Sequence, residues 1–130
     1  MQIKTTNKGV IAWCDDLAKD LTPKNFTPEY WHKSNAVIGQ SKGRYTTWFV
    51  EHKTQQWVLR HYWRGGLMEK ISKDAYVFTG FNRTRAMGEL TILNTLHQEG
   101  FPVPRPIAAN VERFGIWYRA DLLIELVNGA

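Results

Sequence analysis

Cysteine is almost absent from this 130-residue chain, which contains only Cys14. A single cysteine cannot form an intrachain disulfide, so a disulfide-stabilised secreted scaffold is excluded. The thiol could act as a nucleophile, although a small, partly buried side chain is the more common role of a lone cysteine. No apolar run approaches the roughly 20 residues that a helix needs to span a bilayer. The first 20 residues also lack the apolar core and cleavage site of a secretory signal, and we expect a cytosolic protein.

Metal-ligand patterns and several familiar catalytic motifs are also missing. The four histidines have no ligand-like spacing, and no cysteine cluster accompanies them, so we predict no metal site in this chain. No G-x-S-x-G nucleophile elbow is present. Internal repeats and low-complexity tracts are absent as well, which excludes repeat architectures and extended linkers.

Aromatic residues and positive charge are plentiful. Hydrophobic residues make up 43% of the chain, and six Trp, six Phe and five Tyr favour a packed globular domain. The net charge is +5, which favours anionic partners such as a nucleotide, an anionic lipid surface or nucleic acid. Solvated surface charge that merely keeps the protein soluble is the alternative interpretation.

Hydrophobic periodicity predicts an α+β fold, with a five-stranded, mostly antiparallel sheet and one main helix packed on it. Short helical segments are expected near the N-terminus and in an insertion at 67–77. We expect 1–27 to be an irregular extension with one strand at 9–13 and a helical stretch at 15–20. A short helix should start at Pro28 with Thr27 as its cap. The predicted strands are 36–38, 45–51, 57–63, 107–112 and 116–126, and the main helix is 84–99.

Glu89 is the unusual residue of the main helix. At about 100° per residue it falls within an apolar arc, and a carboxylate that faces a core needs a partner to offset its desolvation. We therefore expect a cation to approach Glu89, although a position at the edge of the arc, paired with Arg85, is the alternative. The arc is made of Ala86, Leu90, Ile92, Leu93 and Leu96.

Arg60 is the best candidate for that cation. Alternation along strand 57–63 places Val58, Arg60 and Tyr62 on one face, and the intervening residues on the other. An arginine in the middle of an apolar strand needs a counter-charge, and either Glu89 or a bound phosphate suits a planar guanidinium. An exposed arginine on a half-wet face is the alternative.

A polar, glycine-containing loop is predicted between the first two strands after Pro28. Its glycines could let backbone N–H groups approach phosphates, with help from two cationic side chains. The pattern matches neither G-x-G-x-x-G nor a Walker loop, and an ordinary hairpin turn remains an alternative. The candidate phosphate-binding residues are Gly39, Ser41, Lys42, Gly43 and Arg44.

Five sequence runs together resemble the N-terminal lobe of the protein-kinase-like fold. The resemblance is to the bacterial lipopolysaccharide kinases, in particular those that act on 3-deoxy-D-manno-octulosonic acid (Kdo). The runs are GQSKGRYTT at 39–47, LRHYWRGGL at 59–67, the segment 74–89, GFPVPRPIAA at 100–109 and YRADLL at 118–123.

This resemblance implies a role for individual residues. The segment 39–44 corresponds to the glycine-rich loop over the phosphates of ATP, and Arg60 stands where protein kinases carry a lysine that holds phosphates. Glu89 matches the helix glutamate that pairs with that cation. Ile124 corresponds to the gatekeeper, and backbone groups of two following residues would hydrogen-bond the adenine edge, namely Glu125 and Val127.

The resemblance also implies a reaction, in which ATP and Mg²⁺ phosphorylate a Kdo hydroxyl on a lipid A precursor. The implied location is the cytoplasmic face of the bacterial inner membrane, with peripheral attachment to its anionic surface and no nucleic-acid partner. Residues 28–130 would form the kinase N-terminal lobe. The acceptor-activating Asp and the metal ligands would belong to a C-terminal lobe that this chain lacks, so we expect the chain alone to be inactive.

Two hypotheses from other classes remain open at this point. A small basic nucleic-acid-binding domain would stack bases on aromatic residues that lie near basic ones, such as Tyr45, Trp48, Tyr62 and Trp63. These aromatics could equally belong to the core. An autonomous protein-interaction domain would instead expose an apolar patch.

Overall fold

The computed structural model describes residues 1–43, 45–63 and 74–127. It confirms the α+β class and the antiparallel sheet, but the number of strands was wrong. The described residues form one eight-stranded sheet, in the order β1-β2-β7-β8-β5-β4-β3, with β6 paired to one end of β8.

The elements follow the predicted order, with two added strands. The strands are β1 Gln2–Thr5, β2 Gly9–Trp13, β3 Val37–Lys42, β4 Thr46–His52, β5 Gln55–His61, β6 Tyr76–Val77, β7 Pro106–Phe114 and β8 Trp117–Glu125. The helices are α1 Pro28–Lys33 and α2 Arg85–Gln98, with short 3₁₀ turns at Asp16–Ala18, Pro23–Phe26 and Phe81–Arg83.

The two unpredicted strands carry weak local signals. β1 is mostly exposed and polar, and it is a strand because it pairs antiparallel with β2. β6 has only two residues, Tyr76 and Val77, which pair with Tyr118 and Trp117 of β8. The helical prediction for 67–77 was wrong at β6, because cross-strand pairing outweighs local propensity there. The rest of that insertion, 64–73, lies outside the described residues.

The N-terminal region is part of the sheet rather than an irregular leader. β2 was predicted, and it pairs along its length with β7. Side chains of this region also enter the core that covers one face of the sheet, among them Ile11, Leu21 and Phe26. That core is completed by Trp31 of α1 and Trp57 of β5, both almost fully buried.

The opposite face of the sheet is covered by α2. Leu90, Ala86 and Met87 are buried there, together with Leu122 and Val111 of the sheet. The predicted apolar arc was wrong at Ile92, whose exposed fraction is 61%. Ile92 lies two residues beyond Leu90, about 200° around the helix, and therefore faces away from the sheet.

The predicted starts of both helices are confirmed, but the side-chain cap predicted at Thr27 is not. Thr84 accepts a hydrogen bond from the N–H of Met87 at the start of α2. The Thr27 side chain accepts no capping hydrogen bond from α1, and its hydroxyl donates to the Lys24 carbonyl at 2.7 Å. At the other end of α2, Gly100 has a φ of +87°, a conformation that terminates helices and favours glycine.

Gly9 is required by the close approach of β2 to β7. A Cβ atom at this position would lie 1.9 Å from the Val111 carbonyl oxygen, so a backbone shift would be unavoidable. We expect Gly9→Ala to lower the free energy of unfolding by about 1–3 kcal/mol. Gly43→Ala is the matched control, because a Cβ there meets nothing within 4 Å. Equal unfolding midpoints for the two variants in a urea titration would contradict this packing.

Candidate functional site

Arg60 and Glu89 form an ion pair across 29 residues of sequence. Arg60 lies on β5, which is flanked by β4 and β8, and Glu89 lies on α2. The Arg60 guanidinium donates to Glu89 Oε2. Their side chains remain 40% and 35% exposed, so the pair is half-buried and open to a ligand. The structure therefore brings together the two residues that patterning singled out.

Tyr62 completes the arrangement around Glu89. Its hydroxyl donates to Glu89 Oε1 at 2.6 Å, so each carboxylate oxygen has its own donor. Burial, together with the hydrogen bond and charge of Glu89, raises the pKa of Tyr62, which keeps its phenol protonated and donating. The sequence placed Tyr62 on the face of Arg60 but did not predict its contact with Glu89, because strand alternation does not show where α2 crosses the sheet.

The first turn of α2 is held by aromatic residues. The backbone N–H of Arg85 donates to the Tyr118 hydroxyl at 3.1 Å. The Arg85 guanidinium lies over the rings of Tyr62 and Tyr76, 5.9 and 5.7 Å from their centroids. Arg85 is thus directed toward these rings, and the ion pair found for Glu89 is with Arg60 instead.

The predicted phosphate loop is largely a strand, which corrects the sequence analysis. Residues 39–42 belong to β3, because they pair in register with β4 beyond an irregularity between Val37 and Gly39. Gly39 lies against the Phe49 ring, and an added Cβ would be 3.1 Å from it. Gly43 follows the strand at the turn, and Arg44 lies outside the described residues.

The register of β3 separates the candidate phosphate ligands. Residues directly opposite in antiparallel strands share a face. Gly39 pairs with Phe49, which in turn pairs with Val58 on the Arg60 face of the sheet. Ser41 pairs with Thr47 and lies on the same face. Lys42 pairs with Thr46 and so belongs to the opposite face. The structure thus groups Gly39 and Ser41 with Arg60 but not Lys42.

The three candidate adenine-binding residues at the end of β8 make different contacts. Ile124 pairs with Val58 and packs against the core under α2. The Glu125 N–H donates to the Arg105 carbonyl at 2.9 Å, and its carboxylate lies 3.7 Å from Arg105 Nε. Arg105 also pairs with Asp15, which ties the N-terminal region to this end of β8. Val127 follows β8 and is 46% exposed.

A cavity of about 380 Å³ lies on the other face of the sheet, and sequence reasoning did not find it. Trp48, Leu59, His61 and Trp63 contribute to its walls. Because Arg60 alternates with Leu59 and His61, its side chain is on the opposite face, and the cavity is separate from the ion pair. The aromatic residues considered for base stacking are engaged with each other or with the core, as in the Tyr45–Trp63 stack at 4.6 Å.

Cys14 is half-buried, and this burial raises the pKa of its thiol. A raised pKa disfavours the thiolate, which supports a packing role over a nucleophilic one. Within 1–43, 45–63 and 74–127, no group of three or more His, Cys, Asp or Glu side chains is placed to hold a metal ion. Across the same residues, none of the helices combines the length and apolar character needed to cross a membrane.

Comparison with known proteins decides the family. The family model for the Lipopolysaccharide kinase (Kdo/WaaP) family matches residues 28–130. This chain belongs to that family. No solved structure gives a significant match.

Curated relatives agree with this assignment. A 3-deoxy-D-manno-octulosonic acid kinase from Photobacterium profundum is 47% identical over 119 residues, covering 91% of this chain and 50% of the relative. Its counterpart from Vibrio parahaemolyticus is 45% identical over 129 residues, covering 99% of this chain and 54% of the relative. This member of the Kdo/WaaP family thus spans about half the length of the curated relatives it matches.

Proposed function

We propose that this chain is the nucleotide-binding part of a kinase that uses ATP to phosphorylate a Kdo hydroxyl on a lipid A precursor in lipopolysaccharide inner-core synthesis. The observation that carries the proposal is the Arg60–Glu89 ion pair, half-exposed on a sheet of a Kdo/WaaP family member. The relatives at 45–47% identity bear the name of that activity, which supports the choice of acceptor.

Arg60 fits the phosphate-binding role chemically. A guanidinium carries five N–H donors, and the hydrogen bond to Glu89 uses one of the two terminal nitrogens. Donors that Glu89 does not engage can bind phosphate oxygens, for which a planar guanidinium is well suited. Glu89 and Tyr62 fix the orientation of Arg60. ATP supplies the phosphoryl group, and this chain supplies the charge and positioning that such transfers need.

The remaining candidates take narrower roles in this proposal. Gly39 and Ser41, on the Arg60 face, would lie toward the phosphates, with Gly43 at the adjoining turn. Lys42 would contribute only from the rim, because its strand position faces the other way. At the adenine end, Ile124 would line the base. The Glu125 N–H is already used by Arg105, so Glu125 would offer its carbonyl, with a backbone group of Val127 beside it.

The domain assignment and the location are parts of the same proposal. Residues 28–130 would be the protein-kinase-like N-terminal lobe, and 1–27 an extension that lengthens its sheet through β2. The ligands of Mg²⁺ and the acceptor-activating carboxylate would be supplied by a C-terminal lobe, outside residues 28–130. The net charge of +5 supports peripheral attachment to the anionic cytoplasmic face of the inner membrane.

The test is a phosphoryl-transfer assay with the full-length gene product. We expect ATP-dependent addition of one phosphate to a Kdo-bearing lipid A precursor, detected by mass spectrometry. The same precursor without Kdo is the control acceptor and should remain unmodified. Phosphorylation of both acceptors, or of neither, would refute the proposed acceptor specificity or the proposed activity.

A further inference from the structure

His61 bridges two carboxylates on the sheet face opposite Arg60. Its Nδ1 atom lies 2.6 Å from an Asp121 oxygen, and its Nε2 atom lies 2.8 Å from an Asp74 oxygen. The second oxygen of Asp74 accepts a hydrogen bond from Arg119 Nε at 2.9 Å. The side chains of His61, Asp74 and Asp121 are 24%, 19% and 15% exposed, so these three are largely shielded from water, whereas Arg119 is half-exposed at 49%.

The geometry requires a proton that a neutral histidine does not have. An ionised carboxylate only accepts hydrogen bonds, and a neutral imidazole carries a single N–H. Both ring nitrogens of His61 face carboxylate oxygens, so both contacts are favourable only if the imidazole is protonated or if one of the two carboxyl groups holds the proton. With the imidazolium, two positive and two negative charges balance in the network. Without that proton, the network carries one uncompensated negative charge.

The network lies at the start of the path from β5 to α2. Asp74 is followed directly by Ala75 and β6, whose Tyr76 stacks on Tyr118 at 5.4 Å between ring centroids. The Tyr118 hydroxyl in turn accepts a hydrogen bond from the backbone N–H of Arg85. Arg85 is one turn before Glu89 on α2. An unbroken series of contacts therefore connects His61 with the turn that carries Glu89.

We propose that His61 is a positioning residue whose bridge between Asp121 and Asp74 fixes the start of α2 and so keeps Glu89 against Arg60. The inference rests on the proposed function and extends it to the regulation of the same site. His61 and Arg60 are neighbours on β5, and their side chains lie on opposite faces of the sheet. The same short strand therefore presents Arg60 on one face and, through His61 on the other, anchors the helix that carries Glu89.

The proposal makes the arrangement sensitive to pH. Burial alone would lower the pKa of His61, but its hydrogen bonds to Asp121 and Asp74 and their charges raise it overall. Burial raises the pKa of Asp121 despite His61, and the carboxylates of Glu112 and Asp74 act in the same direction. Arg119 and His61 lower the pKa of Asp74 against the effect of its burial. Both groups that share the proton therefore retain it to higher pH.

The sign of the effect follows from linkage. Because the folded-state pKa of His61 is raised, its contribution is complete below the unfolded value of about 6.5. The contribution is lost as the pH rises through the higher folded-state value. The bridge should thus be intact in mildly acidic solution and weaken as the pH rises through the raised pKa of His61.

The experiment measures hydrogen exchange of the first turn of α2 in the full-length protein, alongside phosphoryl transfer as a function of pH. After correction for intrinsic rates, His61→Gln should speed exchange at Gly88 and Glu89 by about tenfold, the equivalent of one hydrogen bond to a charged group. It should also abolish the decline in kcat/KM with rising pH that loss of the bridge causes in the unsubstituted protein. His97→Gln, at the exposed end of α2, is the matched control and should change neither property.

Asp74→Asn is a second variant, which leaves His61 in place. The pH profile of the unsubstituted protein tests the same inference without any substitution. Exchange and pH profiles of His61→Gln and Asp74→Asn that equal those of His97→Gln would overturn the inference. If exchange changes as expected but the protein transfers no phosphate, the proposed function fails while the anchoring of α2 stands. If the protein transfers phosphate but hydrogen exchange in the two variants is unchanged, only the proposed anchoring of α2 by His61 fails.

Discussion

In the full-length protein, Glu89→Gln is expected to lower kcat/KM for phosphoryl transfer from ATP by about 100-fold, the cost of a small misplacement of a positioning group. Glutamine is nearly isosteric with glutamate and can still accept from Tyr62, but it removes the charge that holds Arg60. The Arg60 guanidinium would then sample orientations that do not present its N–H groups to phosphate. Initial-rate measurements over a range of ATP concentrations test this expectation.

Glu99→Gln is the matched control for Glu89→Gln. Glu99 is an exposed carboxylate at the C-terminal cap of the same helix, ten residues beyond Glu89. We expect this variant to retain the unsubstituted rate. If Glu89→Gln and Glu99→Gln have the same kcat/KM, the Glu89 charge has no special part in the reaction.

Trp57→Ala is expected to cost about 3–5 kcal/mol in free energy of unfolding, the usual range for removing a buried tryptophan. Trp57 is fully buried and meets Trp31 edge-on, with ring centroids 6.4 Å apart. Its indole N–H donates to the Gln55 side chain at 2.8 Å. The substitution would leave a cavity between α1 and β5, in the middle of the core on that face. Denaturant unfolding followed by far-UV circular dichroism measures the loss.

Phe101→Ala provides the control for this loss. The Phe101 side chain is 53% exposed beyond the end of α2, so its removal leaves no internal cavity. We expect its unfolding midpoint to stay close to that of the unsubstituted protein. A Trp57→Ala variant as stable as Phe101→Ala would mean that the core does not depend on this ring.

Local signals in the sequence were sufficient for α2 and β5. The predicted bounds of α2, 84–99, agree with the observed Arg85–Gln98 to within one residue at each end. Alternation along β5 correctly put Arg60 and Tyr62 on one face and Leu59 and His61 on the other, because the period of a strand is independent of its neighbours. The Arg60–Glu89 contact followed because a half-buried carboxylate and a half-buried guanidinium each need a partner.

Features that depend on pairing between segments were not predictable from local composition. The stretch 39–42 has the composition of a loop, yet it is a strand because β4 offers it a complete ladder. β6 exists because β8 extends far enough to pair with Tyr76. The bridge at His61 joins residues 13 and 60 positions away, and no spacing in the sequence signals it. Strand alternation predicts only that His61 lies on the face opposite Arg60.

The most direct test of the central claim is a double-mutant cycle between Arg60 and Glu89, measured as kcat/KM for ATP in the full-length protein. If the two residues act as one clamp, each of Arg60→Gln and Glu89→Gln removes most of the effect. The double variant should then be little slower than the slower single variant. Effects that multiply in the double variant would show that the two residues act independently, and would contradict the account of the ion pair as the functional unit.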